Sequence, residues 1–283
     1  MEAGSPRALA LAFSLLTAAS LAAQQAPNLM PPQTAWVVTA NPAAVTVSGT
    51  DPIVFQGLWS PNPPYQITVD IPFAVPQAGP HLLWLDGYFV VAPSSYQDWS
   101  WTIPGVGAGL WRQGDVQNTR DVAQWVVDLP AGNHTLSLTT QAHNPGSIGR
   151  LWEAELRRVS GPQLVPNLCF IDPQSPTYSY ANFTIENAAP LANPVYMLFF
   201  APATLSSPVQ LPFGDQWLAN PIWLGALNTP SWTFSSGYEA NVMHYLIYGG
   251  ASNPTWWQVV EYDVLNPLST LRLGSPNRTG AGH

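Results

Sequence analysis

Glu153 and Glu155 stand two apart in a run with strand-like composition, Leu151-Trp-Glu-Ala-Glu-Leu-Arg-Arg. On a strand that spacing puts both carboxylates on one face, about 6.5–7 Å apart along the chain. Inverting glycosidases hold their two carboxyls about 6.5–9.5 Å apart. Catalytic pairs of that kind flank a cleft and come from different segments, however, and Arg157 continues the same face, so the run reads as a solvated charged face. His81, His134, His143, His244 and His283 show no ligand spacing near a carboxylate, and His134 is expected to point to water. No Gly-x-Ser-x-Gly elbow occurs. Gly105-Val-Gly-Ala-Gly109 follows Pro104 in a β context with no helix after it, and reads as a flexible loop rather than a phosphate cradle. No catalytic residue and no metal ligand is assigned. Asn133-His-Thr, Asn182-Phe-Thr and Asn277-Arg-Thr fit the glycosylation pattern, which matters only in a eukaryotic secretory route.

The aromatics carry the functional expectation. Tyr96-Gln-Asp98-Trp99-Ser-Trp101 and Gly109-Leu-Trp111-Arg112 bring several rings and polar partners into one loop-rich region. A sugar presents an apolar C–H face ringed by hydroxyls, so its site needs a flat ring and a few polar groups around it. Trp99 and Trp101 alternate with Ser100 and Thr102, which reads as core. Tyr96 and Trp111 are then the stacking surface, with Asp98 and Arg112 binding hydroxyls.

Composition limits the alternatives. Charged residues are 8% of the 283, against about a quarter in an ordinary chain, while hydrophobic residues are 46% and include 13 Trp. Low hydrophobicity with high charge marks disorder; this chain has neither, and its 21 Gly and 30 Pro suit many short strands joined by turns. All eight basic residues are arginine and the net charge is −8, which excludes a phosphate-binding surface and hence nucleic acid as partner. Cys169 is the single cysteine, so no intrachain disulfide forms, and a buried small hydrophobe is its expected role.

Residues 1–23 read as a signal peptide: Arg7, an apolar run over 8–19, then Ser20-Leu-Ala22 at the cleavage site. The run is shorter than the roughly 20 residues of a membrane span, and prolines and polar residues interrupt every later one. The mature chain is therefore expected to be soluble and secreted, periplasmic or on the cell surface. After a polar lead-in over 24–34, short strands are expected over 36–38, 45–47, 53–57, 65–71, 81–90, 98–103 and 148–159. Between them, 125–129 and 134–140 are expected to form a hairpin through Pro130-Ala-Gly-Asn133, with positive φ at Gly132 and Asn133, and with Leu136 and Leu138 inward. Ser160-Gly-Pro-Gln163 is the expected linker. Beyond it lie strands over 181–186, 195–200, 216–218, 222–224, 232–234, 243–248, 256–264 and 270–273. The fold class is all-β: two β-sandwich, jelly-roll-like domains in tandem, 24–160 and 161–283, with few shared contacts.

Tyr65-Gln-Ile-Thr-Val, Ala78-Gly-Pro-His-Leu-Leu-Trp-Leu, Val127-Asp-Leu-Pro-Ala-Gly-Asn-His-Thr-Leu-Ser-Leu and Leu151-Trp-Glu-Ala-Glu-Leu follow one another as in the galactose-binding-like jelly rolls that serve as carbohydrate-binding modules, and the first half resembles them over about 100 residues. The resemblance implies the fold and a glycan ligand. Calcium-bearing versions carry an Asp ahead of the final apolar residues; Glu153-Ala-Glu-Leu stands here instead, so no cofactor is assigned, and a structural calcium stays open without a clear motif. Pro194-Val-Tyr-Met-Leu-Phe-Phe, Leu211-Pro-Phe-Gly, Trp257-Gln-Val-Val-Glu-Tyr-Asp and Leu271-Arg-Leu-Gly-Ser-Pro-Asn resemble the C-terminal β-sandwich module of exported planctomycete-type bacterial proteins. That module implies no activity.

Three functions remain open on the sequence. The first is a non-catalytic exported protein binding carbohydrate or another cell-surface component through the first sandwich. The second is a structural or adhesive scaffold, and the third an accessory part of a glycan-degrading system. An enzyme is not expected, because acidic residues are few and scattered.

Overall fold

The computed structural model describes residues 26–40, 45–48, 53–57, 65–90, 98–112, 120–142, 148–170, 180–187, 189–234 and 255–279. The signal peptide expected over 1–23 and the strand expected over 243–248 lie outside these residues. The described chain is almost entirely antiparallel strand, with one short helix, Pro267–Thr270, and a 3-10 turn at Gln33–Ala35.

Ten strands build the first sandwich: β1 (Val37–Ala40), β2 (Val45–Ser48), β3 (Ile53–Gly57), β4 (Tyr65–Val75), β5 (Gly79–Val90), β6 (Asp98–Ile103), β7 (Gly107–Arg112), β8 (Arg120–Leu129), β9 (Gly132–Ala142) and β10 (Ile148–Arg158). One sheet runs β1-β4-β9-β6-β7 and the other β2-β3-β10-β5-β8. Alternation aims Val69, Ile71, Trp99, Trp101, Leu136 and Leu138 of the first sheet at Leu83, Leu85, Ala123, Ala154 and Leu156 of the second, and together they form one core. The lead-in joins it. Asn28 Oδ1 accepts from the backbone N–H of Leu156 at 2.9 Å, and Met30 and Trp36 are buried in the core.

The expected hairpin at 130–133 is instead an arch. β8 pairs with β5 and β9 with β4 and β6, so the two strands lie in opposite sheets of the sandwich. Both carry an apolar inner face, Leu129 on one and Leu136 and Leu138 on the other. Side-by-side and face-to-face placements satisfy that pattern equally, and sheet membership decides between them. Leu136 and Leu138 point inward as expected; Gly132 has φ 138°, while Asn133 is not among the positive-φ residues.

Gly105–Gly109 is likewise not a loop. Pro104 and Gly105 (φ 76°) make a tight turn closed by Val106 N–H to Ile103 C=O at 3.0 Å, and the chain returns as β7 beside β6. Gly109 pairs with Trp101, and a Cβ there would meet the Trp101 indole at 2.3 Å. The glycine makes room for a core ring.

The second unit comprises β11 (Gln163–Phe170), β12 (Tyr180–Glu186), β13 (Pro194–Ala201), β14 (Thr204–Leu211), β15 (Gly214–Leu218), β16 (Ile222–Leu227), β17 (Ser231–Phe234), β18 (Thr255–Asp263), β19 (Arg272–Leu273) and β20 (Asn277–Thr279). β11, β12 and β17 form one sheet, β16-β13-β18-β19 another with β20 also on β18, and β14 pairs with β15. Glu261 is fully buried and holds this unit together, bonding Asn187 Nδ2 at 2.6 Å, Leu191 N–H at 3.2 Å and Arg272 Nε at 2.7 Å.

The two units share a core, contrary to the expectation of few contacts. Trp84 and Val122, on the outer face of the first sandwich's second sheet, are packed in one apolar cluster with Leu164, Ile185, Tyr196, Leu198, Trp257 and Val259. The run His81-Leu-Leu-Trp-Leu is apolar on both faces of β5 because both faces are covered.

Candidate functional site: a cleft between the sandwiches

Trp111, expected to offer a stacking face, is 3% exposed and belongs to the core of the first sandwich. It pairs with Trp99 across β6 and β7, and alternation that turns Trp99 inward turns Trp111 inward too. A ring so placed presents no face to a ligand, and the assignment is corrected to core. Asp98 and Arg112 are opposite one another in backbone register at the open end of that hairpin. Their side chains, and Tyr96 altogether, lie outside the described residues. Trp99 and Trp101 are core, as expected.

The structure brings a different set together. A cleft of about 170 Å³ opens at the joint between the sandwiches. The first contributes Trp84, Glu155, Arg157 and Arg158; the second contributes Asp215, Trp217, Trp256 and the run Ser275–Arg278. Trp84 and Trp217 are buried, while Trp256 remains partly exposed. Three of the eight arginines of an acidic chain therefore line one cleft.

The lining groups divide into those committed to the fold and those that are not. Arg278 Nη2 donates to Glu153 at 3.2 Å and to Glu155 at 3.0 Å, and its guanidinium lies 4.2 Å from the centre of the Trp84 ring. Arg157 Nε donates to Glu155 at 2.8 Å and its Nη1 to the Ala26 carbonyl at 2.9 Å. The face carrying Glu153 and Glu155 is therefore only partly solvated: the second unit docks on it, leaving the Glu155 side chain 12% exposed while that of Glu153 keeps 44%. Burial raises the Glu153 carboxyl above its ordinary value, helped by the neighbouring Glu155 charge. Burial acts on Glu155 in the same sense but is outweighed by the Arg157 hydrogen bond and the Arg278 charge, and its carboxyl falls below the ordinary value. Two arginines clamp this pair into the joint.

Arg158 and Asp215 are different. Arg158 is exposed, and its described contact is Nη1 to Gln77 Oε1 at 2.6 Å. The Asp215 main-chain carbonyl accepts from Gln258 Nε2 at 2.9 Å, and among the described residues its carboxylate forms no ion pair. A guanidinium donor, a carboxylate acceptor and a partly exposed indole thus share one small cleft.

Of the other residues singled out, His134 is half-buried, stacks on Phe73 at 5.5 Å between ring centres and bonds the Pro130 carbonyl. His81 is buried, with its imidazole held below its ordinary value by that burial. Asn277 is buried, with Nδ2 on Gln124 Oε1 at 2.5 Å and on the Leu164 carbonyl at 2.6 Å, so this glycosylation pattern is closed in the folded chain. Asn133 is exposed, and the Asn182 side chain lies outside the described residues. Among the described residues no three His, Cys, Asp or Glu converge on a metal position, and no helix is long and apolar enough to cross a membrane.

No family model matches the chain, and no curated protein resembles it in sequence. Solved structures similar in shape include TmCBM61 in complex with β-1,4-galactotriose (13% identity, 44% of this chain and 90% of that one, TM-score 0.34). The adhesin domain of Epf from Streptococcus pyogenes is another (8% identity, 84% of this chain and 80% of that one, TM-score 0.32). A third is the CBM22 tandem of Xyn10C from Paenibacillus barcinonensis (13% identity, 93% of both chains, TM-score 0.28). Likenesses this distant assign nothing to the chain, whose function has to be read from the cleft itself.

Proposed function

We propose that the chain is a non-catalytic, exported carbohydrate-binding protein whose ligand seat is the cleft between its sandwiches. One observation carries the reading: Trp256, Asp215 and Arg158 line the same cleft, and among the described residues neither Asp215 nor Arg158 is in an ion pair. Trp256 supplies the ring on which a sugar face stacks, Asp215 accepts from sugar hydroxyls and Arg158 donates to them. The clamp on Glu153 and Glu155 supports a non-catalytic role, since Arg278 ties both carboxylates into the joint. The apolar run over 8–19 and the likeness of the C-terminal half to an exported bacterial module support a place outside the cell.

A single stacked ring with a few solvent-competed hydrogen bonds gives Kd of order 0.1–1 mM, or about 4–5.5 kcal/mol. Affinity electrophoresis of the chain lacking residues 1–23, run against a panel of soluble polysaccharides, tests the reading. Retention on at least one gel, lost in Trp256→Ala with the melting temperature nearly unchanged, is the expected result. Retention unaffected by Trp256→Ala but lost in Asp98→Ala or Arg112→Ala would move the seat to the open end of the β6–β7 hairpin. No retention on any glycan leaves the adhesive scaffold, which the shared core of the two units favours.

A further inference from the structure

One wall of the cleft is tied to the first unit. The run Ser275–Arg278, which lines it, is stitched to the first unit and the junction at successive residues. Ser275 N–H donates to the Ser160 carbonyl at 2.8 Å, and its Oγ accepts from Ser160 N–H at 2.9 Å. Asn277 is buried between Gln124 and Leu164, and Arg278 is held by Trp84, Glu153 and Glu155. Gly274, just before the run, approaches Pro162 so closely that a Cβ would lie 1.9 Å from the Pro162 carbonyl oxygen. Strand β20 therefore acts as a bar along this wall of the joint.

The cleft is also small. Sites for drug-sized ligands enclose about 300–1,000 Å³, whereas this one holds about 170 Å³. The volume suits one ring rather than a run of rings. An open groove along a sheet face would let a polysaccharide enter and leave at opposite ends; a small cleft with a barred wall favours the tip of a chain.

Building on the glycan-binding reading above, we infer that the cleft recognises the terminal unit of a glycan and not an internal stretch of chain. The bar β20 closes one wall to the continuing polymer, and Trp256, Asp215 and Arg158 meet the terminal ring and its hydroxyls. The free hydroxyl at the chain end, absent from internal units, is the group that the Asp215 carboxylate or the remaining donors of the Arg158 guanidinium would read.

Isothermal titration with oligosaccharides of one to six units, drawn from the series retained in the polysaccharide panel, tests this. Affinity should reach its plateau by the second unit, changing less than about threefold from two units to six, because later rings lie outside the cleft. Capping the terminal hydroxyl of the non-reducing end as its methyl ether, and separately the reducing end as its methyl glycoside, should abolish binding in one case, about tenfold or more, and spare it in the other. Affinity that climbs steadily from two units to six, or that ignores both caps, overturns the inference while leaving carbohydrate binding intact. A failure of the whole series and of the parent polysaccharide to bind overturns both.

Discussion

Replacing Trp111 by alanine separates a core ring from a ligand platform. The indole is 3% exposed, lies opposite Trp99 and belongs to the cluster that also holds Trp101, Leu136 and Leu138. Large-to-small changes of a buried aromatic cost about 3–5 kcal/mol, the transfer of the lost atoms plus the cavity left behind. β7 is the outer strand of its sheet and relaxes more readily than a central one, so the lower half of that range is expected. With a guanidinium slope of about 4 kcal/mol/M, the midpoint falls by nearly 1 M. Leu110, its neighbour on the opposite face at 44% exposure, is the control; Leu110→Ala should cost within about 0.5 kcal/mol. Far-UV circular dichroism during guanidinium titration of the three proteins gives the comparison. Coincident midpoints for Trp111→Ala and Leu110→Ala would refute the core placement and return the ring to the list of ligand contacts.

Two further outcomes follow from the joint and from the edge of the first sandwich. The fragment 24–160 alone should expose Leu82, Trp84 and Val122, which the second unit buries, and should therefore bind the dye ANS and melt at lower temperature than the full chain; a dye-silent fragment with the melting point of the full chain would refute the shared core. Glu186 accepts the backbone N–H of Val126 on edge strand β8 at 3.0 Å, and burial raises its carboxyl above the ordinary value against that hydrogen bond. A raised folded-state value means the native protein holds the proton more tightly, so this group's contribution to stability is present below about pH 4.3 and is lost as pH rises through the folded value. Glu186→Gln keeps an acceptor for Val126 without the buried charge. It should raise the melting temperature at pH 7 and not at pH 4, and an equal shift at both would refute the assignment.

Much of this protein was legible without coordinates. Period-two alternation located most strands of the first sandwich, since a half-buried strand must put apolar residues on one face. The same alternation identified Trp99 and Trp101 as core, and it applied equally to Trp111, whose place after three glycines hid strand β7. Gly109 looked like loop chemistry when it was space for the Trp101 ring. Sequence alternation does not say which sheet a strand joins, because arch and hairpin have the same inward faces; only the pairing of β8 with β5 and of β9 with β4 decided it. Nor does it say what covers an outer face. The doubly apolar run at 81–85 was the signal that β5 is buried on both sides, but not of what lies against it. The cleft could not be foreseen at all: Trp84, Arg158, Asp215, Trp256 and Arg278 are strung across nearly two hundred positions. They meet because the second unit docks on the first, and that docking rests on apolar contacts and ion pairs between residues remote in the chain, which local patterning does not encode.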